Sequence, residues 1–129
     1  GHDISLDRKN ILQTLGLEEY NNNEIDCIID VTGNINAFRF GWGVLKKGTL
    51  IMVGNTPSKS TVEIDPFDLI RGKSLKGSAG GSTVPERDIP IYATFLEDFS
   101  IIAGIEYTLE DINVAISNWG KERKPIIRM

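Results

Sequence analysis

The side chains able to do chemistry are few. The chain has one cysteine, Cys27, and one histidine, His2, so it cannot close an intrachain disulfide, and these two types cannot complete a tetrahedral metal site. Cys27 falls within the apolar run Ile25 to Val31, where a thiol is expected as a packed core group and not as a ligand or nucleophile. His2, at the extreme end, is expected to be frayed and has no assigned role. Gly41-Trp42-Gly43 lacks the third glycine of a phosphate-binding turn and follows no strand, so the pattern Gly-x-Gly-x-x-Gly is absent. What remains is a motif that occurs twice. An apolar run ending in a small residue appears as Ile28-Ile29-Asp30-Val31-Thr32-Gly33 and again as Leu50-Ile51-Met52-Val53-Gly54. In open parallel sheets the carboxyl ends of the strands form the ligand crevice, and small residues there let a flat ligand approach the backbone. The plainer alternative is that these glycines only make tight turns after strands.

The elements that must position these residues can be read from periodicity. Leu6 to Leu15 reads as a helix with Ser5 or Asp3 as cap and Gly16 as stop. Asn21-Asn22-Asn23 reads as a turn, and Ile25 to Val31 as a strand buried on both faces. Helical spacing returns over Ile35 to Leu45, although Gly41 and Gly43 each cost a helix roughly 1 kcal/mol relative to Ala. Thr49 to Val53 is a second buried strand, and Thr61 to Ile64 alternates as an edge strand would. Asp65-Pro66 opens a short helix to Arg71, with Asp at the cap and Pro at the first position. Ser74 to Ala79 reads as a third central strand leading to a Gly80-Gly81 loop. Between Ile89 and Phe99 a helix is expected from Pro90 onward. Another runs from Thr108 to Trp119 with Gly120 as stop, and Lys124 to Arg128 is a last strand. Helices alternating with apolar strands argue for a parallel α/β sheet.

Composition sets the outer bounds. The 129 residues hold 14 Lys plus Arg against 18 Asp plus Glu, for a formal net charge of -4. That length suits one core, and scattered basic residues under an acidic balance leave no nucleic-acid footprint or polybasic membrane surface. The longest apolar run, near Leu50 to Val53, is far shorter than a membrane span, and no signal peptide opens the chain. A cytoplasmic protein is expected.

Taken in order, several strings resemble the medium-chain dehydrogenase/reductase family, which contains the zinc-dependent alcohol and polyol dehydrogenases. They are His2-Asp3-Ile4-Ser5-Leu6-Asp7-Arg8, Asp30 to Asn34, Lys47 to Gly54, Leu75-Lys76-Gly77-Ser78, and Tyr107 to Ala115 with Gly120-Lys121. The resemblance covers nearly the whole chain and corresponds to the C-terminal portion of such a protein. It implies a partial Rossmann-like parallel sheet with a terminal helix and strand. Residues 1–80 would be the C-terminal part of the nucleotide-binding domain, and 81–129 a segment returning to the catalytic domain.

The resemblance also implies roles. Asp3 matches the carboxylate that accepts the adenosine ribose hydroxyls, which favours NAD over NADP because a carboxylate repels a 2'-phosphate; the alternative is a plain helix cap. Arg8 matches a basic side chain over that ribose, Thr32 and Gly33 the turn near the adenine end, and Val53, Gly54 and Ser78 backbone lining the nicotinamide. Lys124 matches a basic position near the pyrophosphate. For each the alternative is ordinary surface or strand-end packing. No residue here would be catalytic, and zinc would be held only in the N-terminal domain. The implied activity is hydride transfer between an alcohol or polyol and nicotinamide, with this piece alone inactive and binding NAD weakly. A zinc-free quinone-reductase-like member, or a non-catalytic binding or assembly module, is the alternative. In the family's strand order the strand at Ile25 to Val31 would have lost its neighbour, leaving an unpaired apolar edge. A homo-oligomer is therefore expected, through that edge or, as the family's dimers do, through a strand near Thr61 to Ile64; the alternative is that the edge pairs with a rearranged segment of the same chain.

Overall fold

The computed structural model describes residues 1–95, 103–120 and 124–129. The chain divides into two compact units, Gly1–Thr83 and Val84–Met129.

The first unit opens with α1, Leu6–Thr14, which ends as expected at Gly16 with φ +72°. Next come β1 (Cys27–Asp30), α2 (Ile35–Val44), β2 (Gly48–Met52), α3 (Pro66–Ile70) and β3 (Lys73–Gly77). The three strands form one parallel sheet in the order β1-β2-β3, with Ile28 beside Leu50 and Leu50 beside Leu75. Asn34 and Asp65 cap α2 and α3 by accepting from the N–H groups of Asn36 and Phe67.

The core lies between α2 and one sheet face. Phe38, Trp42 and Leu45 recur at helical spacing and are buried with Leu50, while Ile28, Met52 and Leu75 pack against them. Gly41 shares that helical face. A Cβ there would stand 3.3 Å from Leu50 Cδ1 and 3.4 Å from Ile28 Cγ2, so the glycine that weakens the helix lets it close onto the sheet. Strand alternation sends Cys27, Ile29, Thr49, Ile51, Ser74 and Lys76 to the opposite face.

That opposite face corrects two expectations. β1 is not buried on both sides, since Ile29 is 62% exposed, and Cys27 is an exposed thiol and not a core group. Both residues point away from α2, and α2 is what covers the sheet. Among the described residues β3 is an edge strand and not a central one. The segment Thr61 to Ile64 is not a strand. Val62 and Ile64 pack against the core, so the alternation there records side-chain burial without ladder pairing. His2 is not without contacts either: its ring stacks on Phe40 at 4.7 Å.

In the second unit α4 spans Pro85–Ala93, starting before the expected Pro90 and containing it. Pro85 takes the first turn, and Asp88 turns back to accept the Val84 N–H. The expected extension of this helix over 96–99, and Lys121, lie outside the described residues. β4 (Ala103–Thr108), which periodicity did not indicate, pairs in parallel with β5 (Lys124–Arg128). Between them α5 covers only Ile112–Ser117; Thr108 belongs to β4, and its hydroxyl donates to Asp111 instead of capping the helix. Gly120 takes φ +82°, as a helix stop should.

Candidate functional site at the strand ends

The three parallel strands bring five of the singled-out residues to one place. Thr32 and Gly33 follow β1, Val53 and Gly54 follow β2, and Ser78 follows β3. Asp30 organises this rim, and sequence reasoning passed it over. Its Oδ1 accepts from both the N–H and the hydroxyl of Thr32, at 2.8 and 2.7 Å. Its carbonyl accepts from the N–H groups of Val53 and Gly54, at 2.8 and 3.0 Å. The signal was present as Asp-x-Thr at a strand end, a spacing at which a carboxylate bonds its own chain two residues on.

The turns interlock by backbone contact. Gly33 has φ +65°, and a Cβ on it would lie 2.2 Å from the Asn55 carbonyl oxygen; a Cβ on Gly54 would lie 2.2 Å from the Gly33 nitrogen. Both glycines thus have a packing reason to be glycine, and the plain turn reading accounts for them. The Thr32 hydroxyl passes the network on by accepting from the Asn34 N–H at 3.0 Å. On the far side Ser78 donates its N–H to the Met52 carbonyl and accepts from the Gly81 N–H. Val53 is 39% exposed, so the rim offers backbone and one apolar side chain to solvent.

Asp3 and Arg8 form a second group at the start of α1. The Asp3 Oδ1 accepts from the Ser5 N–H at 2.8 Å, and its Oδ2 stands 3.7 Å from the Arg8 guanidinium. Further along, the Lys9 ammonium beside Glu19 holds that carboxyl below its usual range. Lys124 belongs to the other unit, as the exposed first residue of β5. Within that unit a pocket of about 220 Å³ is lined by Glu106, Tyr107, Thr108 and Arg128; none of the singled-out residues lines it.

The residues present fit a nucleotide in part. A partly exposed carboxylate such as that of Asp3 is a suitable acceptor for ribose hydroxyls, and the rim allows close approach to backbone. A pyrophosphate cradle is not among them. For a metal the donor set does not fit, because among the described residues no three His, Cys, Asp or Glu side chains gather where an ion could bind. Among the same residues no helix is long and apolar enough to cross a membrane.

No family model matches the chain. It is 26% identical over 84 residues to alcohol dehydrogenase-like 3 of Arabidopsis thaliana, an alignment taking in 60% of this chain and 20% of the relative. Among solved structures, benzyl alcohol dehydrogenase from Acinetobacter calcoaceticus superposes with a TM-score of 0.70 at 23% identity, over 98% of this chain and 35% of that one. A protein described as a zinc-binding dehydrogenase, from Sinorhizobium meliloti 1021 and bound to NADP, gives a TM-score of 0.70 at 25% identity over 82% of this chain and 32% of its own. The chain therefore spans a fifth to about a third of the proteins it matches. The all-parallel α/β architecture and these likenesses agree with the resemblance carried by the sequence strings: the chain is similar to an alcohol dehydrogenase-like protein and shares the fold of the dehydrogenases named here over about a third of their length.

Proposed function

We propose that this chain forms the C-terminal part of an NAD-dependent oxidoreductase that moves a hydride between an alcohol or polyol carbon and nicotinamide. The observation that carries the reading is the convergence of Thr32, Gly33, Val53, Gly54 and Ser78 at the carboxyl ends of three parallel strands, where open α/β sheets hold their ligands. The bound dinucleotide supplies the hydride chemistry. The chain's own residues bind and orient: Asp3 accepts the ribose hydroxyls, Arg8 lies beside them, Thr32 and Gly33 border the adenine end, and Val53, Gly54 and Ser78 border the nicotinamide. Lys124 would stand near the pyrophosphate. Residues 1–80 serve as the nucleotide-binding part and 81–129 as the segment returning to a catalytic domain. Zinc, if the parent enzyme uses it, would be held outside this chain, since among the described residues Cys27 and His2 gather no further ligands. The relatives named above carry dehydrogenase names and favour neither a zinc-free quinone reductase nor a non-catalytic module.

NADP is the second reading, favoured by Arg8 at 3.7 Å from Asp3 and by the NADP-bound relative. Titrating the labelled chain with NAD and with NADP while following amide resonances separates the two. The expected result is weak binding that moves Asp3, Thr32, Gly33, Val53, Gly54 and Ser78, more strongly for NAD. Shifts confined to other residues would remove the reading, and a preference for NADP would transfer it to the second cofactor.

A further inference from the structure

We propose that Asp30 and Thr32 form a paired acceptor at the end of β1 that recognises the amino group of an adenine base. The inference rests on the nucleotide reading above and names the residues that would select the base. Among the described residues two carboxylates are buried, Asp30 and Asp88. Asp88 is paired with Arg87, whereas Asp30, only 8% exposed, has no cation beside it among those residues. Its Oδ1 is occupied twice, by the N–H and the hydroxyl of Thr32, and these bonds turn the carboxylate along the chain toward the turn that follows β1. Its Oδ2 accepts from no group among the described residues. Yet none of their buried side-chain oxygens is without a partner, so Oδ2 reaches the surface at the strand end. A carboxylate oxygen so placed calls for a donor from outside the chain, because an ionised group held away from bulk water without a partner is costly.

Thr32 is exposed, and its bonding has the same sense. Its hydroxyl proton goes to Asp30, and its oxygen accepts from the Asn34 N–H. A hydroxyl has one proton and two acceptor sites, so what Thr32 keeps for a ligand is one acceptor. Asp30 thereby fixes the polarity of its neighbour: while the pair is intact, Thr32 cannot turn its proton outward. Two acceptors on one turn, one of them charged, match a group with two N–H donors on a single nitrogen, and the 6-amino group of adenine is such a group. In the proposed site Thr32 and Gly33 border the adenine end, which brings that amine to the pair. The same two oxygens repel acceptors. They keep a pyrophosphate away from the end of β1, and they disfavour a base with a carbonyl in place of the amine.

The test titrates the labelled chain with NAD and with nicotinamide hypoxanthine dinucleotide, following amide resonances. In the second ligand a carbonyl replaces the amino group, and one donor remains, on the neighbouring ring nitrogen. Wild type is expected to favour NAD by about fivefold, the worth of one net hydrogen bond. Asp30→Asn keeps an oxygen for Thr32 and sets an NH2 donor where the free oxygen stands, so its preference is expected to reverse toward the hypoxanthine ligand, with unchanged far-UV circular dichroism. Should that variant fail to fold, Thr32→Val leaves the carboxylate and removes one acceptor; it is expected to shrink the preference for NAD without reversing it. Equal affinities in wild type, a wild-type preference for hypoxanthine, or a ratio that neither variant moves would overturn the proposal. If NAD still shifts Val53, Gly54 and Ser78 while the base makes no difference, the base selection fails and the nucleotide reading stands. If NAD shifts none of the strand-end residues, both fall.

Discussion

Gly33 and Gly16 share a left-handed backbone but not a neighbourhood, and the difference can be measured. Gly33 at φ +65° meets the Asn55 carbonyl oxygen 2.2 Å from where a Cβ would be, whereas Gly16 at φ +72° has nothing within 4 Å. Alanine in a left-handed conformation costs roughly 1–2 kcal/mol. Gly16→Ala should therefore lower the unfolding free energy measured by urea denaturation by about that much and no more. Gly33→Ala must in addition push the β1 and β2 turns apart, and a total of about 3 kcal/mol or greater is expected. Equal effects would mean that the turn contact contributes nothing. A second residue-scale effect belongs to Asp88. The Arg87 guanidinium, and then the Val84 N–H, hold its carboxyl below the usual range. A carboxyl depressed in the folded chain stabilises the fold above its ordinary titration range and loses that contribution as pH falls through the lowered value. Arg87→Met should raise the Asp88 midpoint observed by NMR, and the start of α4 should then loosen at a higher pH than in wild type.

At the scale of elements, α2, α3 and β3 are tied by one polar cluster. The Trp42 indole N–H donates to Asp68 Oδ2 at 2.9 Å, and the Lys73 ammonium donates to the same oxygen and to the Trp42 carbonyl. The Lys73 side chain is only 10% exposed, so losing Asp68 strands a poorly hydrated cation and an indole donor. Asp68→Ala should cost about 1–3 kcal/mol. Because both changes act on one network, Asp68→Ala with Lys73→Met should cost less than their separate effects combined; additive values from a denaturation cycle would show that the contacts are independent. This cluster also marks where sequence reading stops. Phe38, Trp42 and Leu45 announced their helix by spacing, and Asp65-Pro66 announced the next by chemistry. Periodicity cannot say that Lys73 folds back on a residue thirty-one positions earlier, because that contact depends on how β3 lies beside β2. It likewise failed at Cys27 and Ile29, where an apolar run looks alike whether one face is covered or both. At Thr61 to Ile64 burial alternates without a ladder. At the crevice the strand-end glycines were legible, but Asp30, which binds the two turns together, was read only as part of an apolar run and of a string carrying the resemblance, with no role of its own.

For the whole molecule the question is how much of a dinucleotide site these residues hold. Of the three parts of such a ligand, the proposed site would offer the ribose an acceptor in Asp3 and the nicotinamide the rim at Val53, Gly54 and Ser78. The pyrophosphate, which carries the charge, has no glycine-rich turn in the sequence, and it is the helix N-terminus behind such a turn that binds phosphate most strongly. Isothermal titration should accordingly return an NAD affinity well weaker than micromolar, and a micromolar value would mean that the charged centre of the ligand has found another anchor. In that proposed site Asp3 would decide between cofactors by sign of charge. Its carboxylate would accept from a 2'-hydroxyl and repel a 2'-phosphate, while the Arg8 guanidinium beside it would attract the phosphate. Asp3→Asn removes the repulsion and keeps an acceptor, so binding of NADP should strengthen relative to NAD. Arg8→Gln should move the ratio the opposite way. If both variants leave the ratio unchanged, the pair at the start of α1 is an N-terminal capping arrangement and the adenosine ribose is held elsewhere.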